Sequence, residues 1–526
     1  MKKHPAWLDT AVFYYVYPPS FYDADGDGIG DLPGITLKLD YIKSLGCNAL
    51  WITPCFVSPF NDGGYDVADY YKVAPRYGTN ADMRRLLASA RKRGIHVCLD
   101  LVAGHTSAQH PWFKKSCEPK PNRYWHRYIW TEHFRDKGEG SGLQFIRGYA
   151  PRDGNYAVNF FYTQPALNYG FYKPDPANKW QVPMSHPAAR ANVAELKKIM
   201  RFWLDMGVSG FRVDMAHSLV KADPERKGTA AIWREVRRMF DREYPDAALI
   251  AEWGRPHESL PAGFHSTFVL GFDSGAKNNY GFLSKTRFMS KIGRGDVREF
   301  FGKYLDGYRL TKDLGFTSIV SSLHDTTRPA TDRTTAEMTV AFAFLLTMPG
   351  VPFIYYGDEI GMVYLKGLVS KEGAYLRTGS RTPMQWSNAR NAGFSSAPAR
   401  KLYLPVDPRR NAPNVAAQEK DEDSLLNRVR RLIQLRLACP ALQSRGEFKI
   451  IYAESKKYPL VYLRFAKGQR LLVVINPSGT SQEVSFRIAG ASDQPDCLMR
   501  QGVKVLARRG RFTVETPGVS FGIFRL

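Results

Sequence analysis

The chain has 526 residues, 44% of them hydrophobic, with a formal net charge of +24. That length and apolar content suit a large soluble protein with a well-buried core and exclude a peptide-sized module, and no apolar run approaches the roughly 20 residues of a membrane span. The charge would suit a polyanion, but the densest basic runs, Arg84-Arg85 through Arg93 and Arg428 through Arg436, fall on helix-periodic segments whose other positions are apolar; they read as solvated helix faces, and no nucleic-acid partner is expected.

From the start, Met1 to Trp7 lacks the apolar run of a signal peptide, and the cysteines at 47, 55, 98, 117, 439 and 497 have neither paired nor metal-binding spacing; reduced thiols in a cytoplasmic protein are expected. Residues 10–17 form an aromatic and β-branched run, read as a buried first strand. Next come Asp23, Asp25, Asp27 and Asp31 among glycines. Carboxylates at alternate positions suit a hard cation that takes many oxygens, so calcium is expected there, with the Ile29 carbonyl as a further ligand. The loop is not an EF-hand, whose twelfth position must be glutamate; here it is Gly34.

Residues 48–53 and 95–101 read as strands, with a helix between them carrying Met83, Leu86, Leu87 and Ala90 at helical spacing. The alternation resumes with a helix at 190–206, a strand at 209–213, a helix at 228–243, strands at 247–251 and 267–272, a helix at 333–347 and a strand at 352–356. About eight strands result, as a closed (β/α)8 TIM barrel of the α/β class requires. The expected barrel comprises 1–105 and 186–440. Residues 106–185 lose periodicity and read as an irregular domain inserted after the third strand. The long loop at 357–421 is too long for plain connection and reads as functional. Residues 447–526 change to period two, with Val461, Leu463 and Phe465, then Leu471, Val473 and Ile475, then Val484, Phe486 and Ile488; a C-terminal antiparallel β-sandwich is expected.

Strand ends of a parallel barrel converge their side chains on one face. The third offers Asp100 and His105, the fourth Arg212 and Asp214 within Gly-Phe-Arg-Val-Asp, the fifth Glu252, and the seventh His324 and Asp325. We read Asp214 as a nucleophile kept ionised by Arg212. Leu-Ile-Ala before Glu252 and Trp253 after it form an apolar surrounding that should raise the pKa of Glu252 and make it the acid.

Asp-x-x-x-x-His, Gly-Phe-Arg-x-Asp, a strand-end Glu and His-Asp together resemble the four short regions of the α-amylase family of retaining glycosidases, across essentially the whole chain. Gly-Asp-Gly-Ile-Gly-Asp-Leu, Asp62-Gly63-Gly64-Tyr65-Asp66, Gln164-Pro165-Ala166-Leu167-Asn168 and Arg381-Thr382-Pro383-Met384-Gln385-Trp386 look like the branch containing α-glucosidases, oligo-1,6-glucosidases, trehalose synthases and sucrose isomerases. The resemblance implies a short oligosaccharide substrate, Asp214 as nucleophile, Glu252 as general acid/base and Asp325 as the carboxylate that holds ring hydroxyls. It implies that His105 and His324 donate to glucosyl hydroxyls, that Tyr65 stacks on the sugar, and that Asp62 pairs with Arg381 to close the pocket.

Gly104 stands where the family usually has Asn, Ala166 where Asp is usual, and Leu323 where Asn is usual. The first two positions help hold a calcium between barrel and inserted domain in typical amylases, and that ion is not expected here. Met215 is neither the Val associated with α-1,6 specificity nor a small residue common in α-1,4 enzymes, which leaves both linkages open. The expectation is a hydrolase of α-1,4 or α-1,6 glucosidic bonds. A trehalose-synthase-type isomerase or transglucosylase is the alternative, and a non-catalytic sugar-binding scaffold the third.

Overall fold

A computed structural model describes residues 4–268, 289–292 and 295–526. Eight parallel strands close into a barrel: β1 Phe13–Val16, β2 Ala49–Ile52, β3 His96–Val102, β4 Gly210–Asp214, β5 Ala248–Ala251, β6 Ser266–Phe268, β7 Phe316–Val320 and β8 Pro352–Tyr355. Each is bonded to its neighbour in sequence, and β8 returns to β1. Strands packed on both faces need apolar residues at nearly every position, and β1, β2, β5 and β8 are buried throughout. Of the strand expected at 267–272, residues 269–272 lie outside the described residues.

The helices that matter here are α1 Leu32–Leu37, α2 Leu39–Leu45, α3 Asn80–Lys92, α4 Pro187–Met206, α5 Lys227–Glu243, α6 Val297–Thr311, α7 Thr335–Thr347 and α8 Leu425–Ala438. Met83, Leu86, Leu87 and Ala90 are the buried stripe of α3, and Thr79 with Asp82 forms its capping box. Sequence periodicity did not reveal α6. Gly302 and Gly307 lie inside it and lower its intrinsic preference, so tertiary contact decides it. Gly210 opens β4 where no other residue fits: at φ +148 a Cβ would lie 2.2 Å from the Ala248 carbonyl oxygen.

Inside the barrel, Tyr15 stacks on Trp51 at 3.8 Å between centroids, Trp51 on Phe268 at 5.6 Å, and Phe13 on Phe353 at 4.2 Å. This aromatic floor supports the polar side chains above it. Between β3 and β4 the chain forms a small hairpin, Gln144–Ile146 with Tyr156–Val158, around an apolar cluster of Ile129, Ala157, Ala166, Phe171 and Trp180.

The C-terminal strands are β9 Glu447–Tyr452, β10 Leu460–Ala466, β11 Gln469–Asn476, β12 Gln482–Arg487, β13 Asp496–Gln501, β14 Lys504–Arg508, β15 Arg511–Thr516 and β16 Ser520–Arg525. They form a five-stranded sheet, β9-β10-β11-β16-β13, facing a three-stranded one, β12-β15-β14. Leu472 and Val474 of β11 meet Phe512 and Val514 of β15 between the sheets, whereas Val473 and Ile475 join the main core that includes α7. The centre of the larger sheet is thus buried on both faces, so β11 reads as an unbroken apolar run.

One basic run departs from the expected solvated face. Arg436 is 1% exposed, and its guanidinium donates to the Leu346, Met348 and Gly350 carbonyls at 2.6–3.0 Å. Arg464 of β10 donates to the carbonyls of Thr347, Gln443 and Gly446. The two arginines satisfy the carbonyls that the C-terminus of α7 leaves open, and Arg464 ties the β-domain to the barrel.

Candidate active site

Arg212 and Asp214 are two residues apart on β4 and so share its inner face, while Phe211 and Val213 turn to the core. The Arg212 guanidinium is the hub of the site. Its Nη1 lies 2.9 and 3.1 Å from the two oxygens of Asp100 and 3.0 Å from Asp214 Oδ1; its Nη2 lies 2.8 Å from Glu252 Oε1. Its carbon stands 5.0 Å from the Trp51 ring centroid. One 2%-exposed cation therefore holds three carboxyl groups, and Tyr65 and Trp51 donate to Asp100 at 2.9 and 3.2 Å.

This arrangement corrects the expected electrostatics. Glu252 is not in an apolar setting: it receives Arg212 and, at 2.9 Å, the Met215 amide, and the Trp253 indole turns to Glu258. Burial, then the facing Glu252 carboxylate, push the Asp214 carboxyl well above the usual range against the pull of Arg212.

Across the site, Asp325 faces three donors. Arg377 Nη1 is 2.7 Å and Arg381 Nη2 2.9 Å from Oδ1, and His324 Nε2 is 3.2 Å from Oδ2. Although burial opposes it, these groups hold the Asp325 carboxyl well below the usual range. The expected Asp62–Arg381 pair does not form. Arg381 is occupied by Asp325, the His324 carbonyl and, at 3.4 Å, the Tyr17 hydroxyl. Arg377 takes its place, with Nη2 3.4 Å from Asp62 Oδ1, while Gln164 donates to Asp62 Oδ2 at 2.8 Å. Burial pushes the Asp62 carboxyl up to about 6 against both arginines.

The histidines are also committed. His105 Nε2 lies 3.1 Å from the Tyr65 carbonyl, to which only an N–H can donate, and Asn159 Nδ2 donates to Nδ1 at 3.1 Å. Its expected donor to a sugar hydroxyl is therefore engaged with the protein. Gly104 makes this possible, since a Cβ there would lie 2.7 Å from the Asn159 amide nitrogen. His324 meets the Tyr15 hydroxyl through Nδ1 and Asp325 through Nε2, and burial pushes its pKa well down against the pull of Asp325. The Tyr65 ring lies parallel to His324 at 5.3 Å, so that face is covered.

In the loop after β1, Asp23, Asp25 and Asp27 each bring an oxygen within 4.8 Å of the others. Asp31 stands apart from this cluster. Its Oδ1 caps α1 through the Gly34 amide at 2.6 Å, and its Oδ2 accepts the Ala24 amide at 2.9 Å. Ile29 donates its amide to Asp27 Oδ1 at 2.7 Å.

Sequence reasoning missed Arg377 and Asn159. Arg377 is one turn before Arg381 in a functional loop, which was a usable signal; nothing in spacing pointed to Asn159. A family model described as "Alpha amylase, catalytic domain" matches residues 15–445. A glucan 1,6-alpha-glucosidase of Streptococcus pneumoniae is 31% identical, covering 91% of this chain and 93% of its own. A trehalose synthase/amylase of Mycolicibacterium smegmatis is 33% identical over 82% of this chain and 76% of its own. The solved trehalulose synthase of Pseudomonas mesoacidophila superimposes with a TM-score of 0.80 at 26% identity, over 99% of both chains.

Proposed function

Because the chain belongs to the α-amylase catalytic-domain family, we propose that it is a retaining glycosidase that cleaves short α-glucosides one glucosyl unit at a time. The observation that carries this reading is Arg212 holding Asp214 and Glu252 side by side, with Asp325 opposite. Retention needs two carboxyls about 5–5.5 Å apart, one to attack and one to deliver a proton. Asp214 attacks the anomeric carbon as Glu252 gives its proton to the glycosidic oxygen, so the C–O bond breaks and a glucosyl ester of Asp214 forms. Glu252 then takes a proton from water, whose oxygen displaces Asp214 and restores the α configuration. Asp325, kept anionic, accepts hydrogen bonds from ring hydroxyls and favours the positive charge that develops on the ring.

Transfer of the glucosyl unit to a sugar hydroxyl is the second reading, favoured by the likeness to the trehalose synthase/amylase. Incubation with maltose and with isomaltose separates the two. Glucose as sole product supports hydrolysis, trehalose or longer glucans support transfer, and no change in either sugar argues against both.

Asp62, Arg377, Asp325 and Arg381 form a continuous polar wall, which supports a dead-end pocket for the non-reducing glucose. Maltoheptaose capped at that end should resist an enzyme that digests the uncapped chain; internal cleavage of both would refute the wall. No helix among the described residues is long and apolar enough to cross a membrane, and the free thiols fit a cytoplasmic setting.

The donor set of the β1 loop fits calcium, all of it hard oxygen. Burial and then the neighbouring carboxylates raise the Asp25 carboxyl, a repulsion a cation would relieve. Asp23, Asp25 and Asp27, with the Ile29 carbonyl, would hold the ion, and Asp31 would fix the loop. An ion bound only by the native state stabilises by mass action, by about 2.7 kcal/mol at a hundredfold excess over Kd. Chelation should therefore lower the Tm, and an unchanged Tm in a protein free of calcium by elemental analysis would leave the loop a turn.

A further inference from the structure

A cavity of about 670 Å³ opens between the inserted segment, at Leu143, Val158 and Phe160, and the loop after β4, at His217, Lys221 and Arg226. It borders the chemistry on the acid side. Ala216, beside His217, donates its amide to the Glu252 carbonyl at 3.1 Å, and Asn159, in the same wall, touches both His105 and the Met215 sulfur. Glu252 must protonate the leaving oxygen, so the leaving group departs toward this cavity and away from the Asp62 wall.

The lining chemistry is unusual for a site that takes an uncharged sugar. The Lys221 ammonium donates to Asn159 Oδ1 at 3.1 Å and to the Ser218 carbonyl, which leaves its third N–H uncommitted. Among the described residues neither Lys221 nor Arg226 forms an ion pair; instead the two repel, and burial together with Arg226 pulls the Lys221 ammonium down to about 8. The single carboxylate of the wall, Asp223, accepts the Thr229 amide through Oδ2 at 2.8 Å, keeps Oδ1 without a hydrogen-bond partner, and ion-pairs with neither cation. His217 Nδ1, beside the cavity, is buried without a hydrogen-bond partner. Two cations without counter-ions are costly when partly desolvated, and an anion that pairs with them turns the cost into affinity.

We propose that the leaving-group site takes a hydroxylated anion, so that the preferred substrates are α-glucosides whose aglycone carries a phosphate or a carboxylate. This rests on the glycosidase reading. Lys221 and Arg226 supply the charge, and the net charge of +24 draws such substrates in.

The test compares kcat/KM for α-glucosyl glycerol, α-glucosyl glycerate and α-glucosyl glycerol phosphate, with p-nitrophenyl α-glucoside as a neutral reference. At least one charged substrate should exceed α-glucosyl glycerol about tenfold or more, mainly through KM, and the preference should shrink as salt is raised. Which charged substrate leads tells phosphate from carboxylate. Arg226→Gln should cut the charged-to-neutral ratio by about tenfold. Calorimetry on the Glu252→Gln variant should give the same ranking for binding without turnover. Cleavage of the reference with no preference for either charged substrate would overturn this proposal and leave the glycosidase reading standing; failure to cleave any glucoside would remove both. A preference that survives both Arg226→Gln and Lys221→Gln would also overturn it.

Discussion

Replacing Asp214 with alanine should lower kcat by about 10⁴-fold or more while the protein stays folded. In the proposed mechanism Asp214 supplies the bond-forming oxygen and Glu252 serves the leaving group, and Asp100 cannot substitute because it is bound to Arg212, Tyr65 and Trp51. Its removal opens no apolar cavity, relieves the repulsion with Glu252, and leaves Arg212 two carboxylates. Glu252→Gln should be nearly as damaging with maltose but less so with p-nitrophenyl α-glucoside, whose leaving group needs little protonation. Azide should partly rescue Glu252→Ala on that activated substrate and give a product of retained configuration, since the glucosyl ester on Asp214 still forms first. Wild-type turnover in Asp214→Ala, with an unchanged melting curve, would sink the assignment.

The barrel was legible because fully buried parallel strands are written as short apolar runs, and β1, β2, β5 and β8 have that form. The strand ends were legible too, because Asp100, Arg212 and Asp214 interrupt apolar runs where a carboxylate or guanidinium has no structural excuse. Partner choice was not. Arg381 and Arg377 are equally basic and four residues apart, and only the closed loop decides that both face Asp325 while Arg377 alone also reaches Asp62. The surroundings of Glu252 were misjudged for the same reason. Its sequence neighbours are apolar, but it lies just past the end of β5, where its side chain meets Arg212 from β4. Asp31 looked like its sisters in the aspartate run, yet it directly precedes α1 and its oxygens are drawn to the helix N-terminus and the Ala24 amide.

Arg212→Met should cost about 3–5 kcal/mol of stability near neutral pH, the usual loss when one partner of a buried ion pair is removed, and should abolish activity. Asp100, Asp214 and Glu252 would then face one another over Trp51 with no cation among them. Even with Arg212 present, burial lifts the Asp100 carboxyl to about 6 and raises that of Asp214; without it both must rise further. A carboxyl whose folded pKa exceeds its unfolded value contributes stability that is fully present below the unfolded value, near 4, and is lost as pH rises through the folded value. The variant's deficit should therefore be small at pH 5 and larger at pH 8, as read by urea denaturation at each pH. An equal deficit at both would mean that Arg212 acts through packing on Trp51, with charge secondary. Arg212→Lys separates charge from shape. An ammonium restores one positive charge and much of the stability, but it lacks the planar fork that reaches Asp100 and Asp214 with one nitrogen and Glu252 with another. Asp214 and Glu252 would then lose their fixed separation, and kcat should remain at least about a hundredfold down, the order of loss that a misplacement of 1 Å produces.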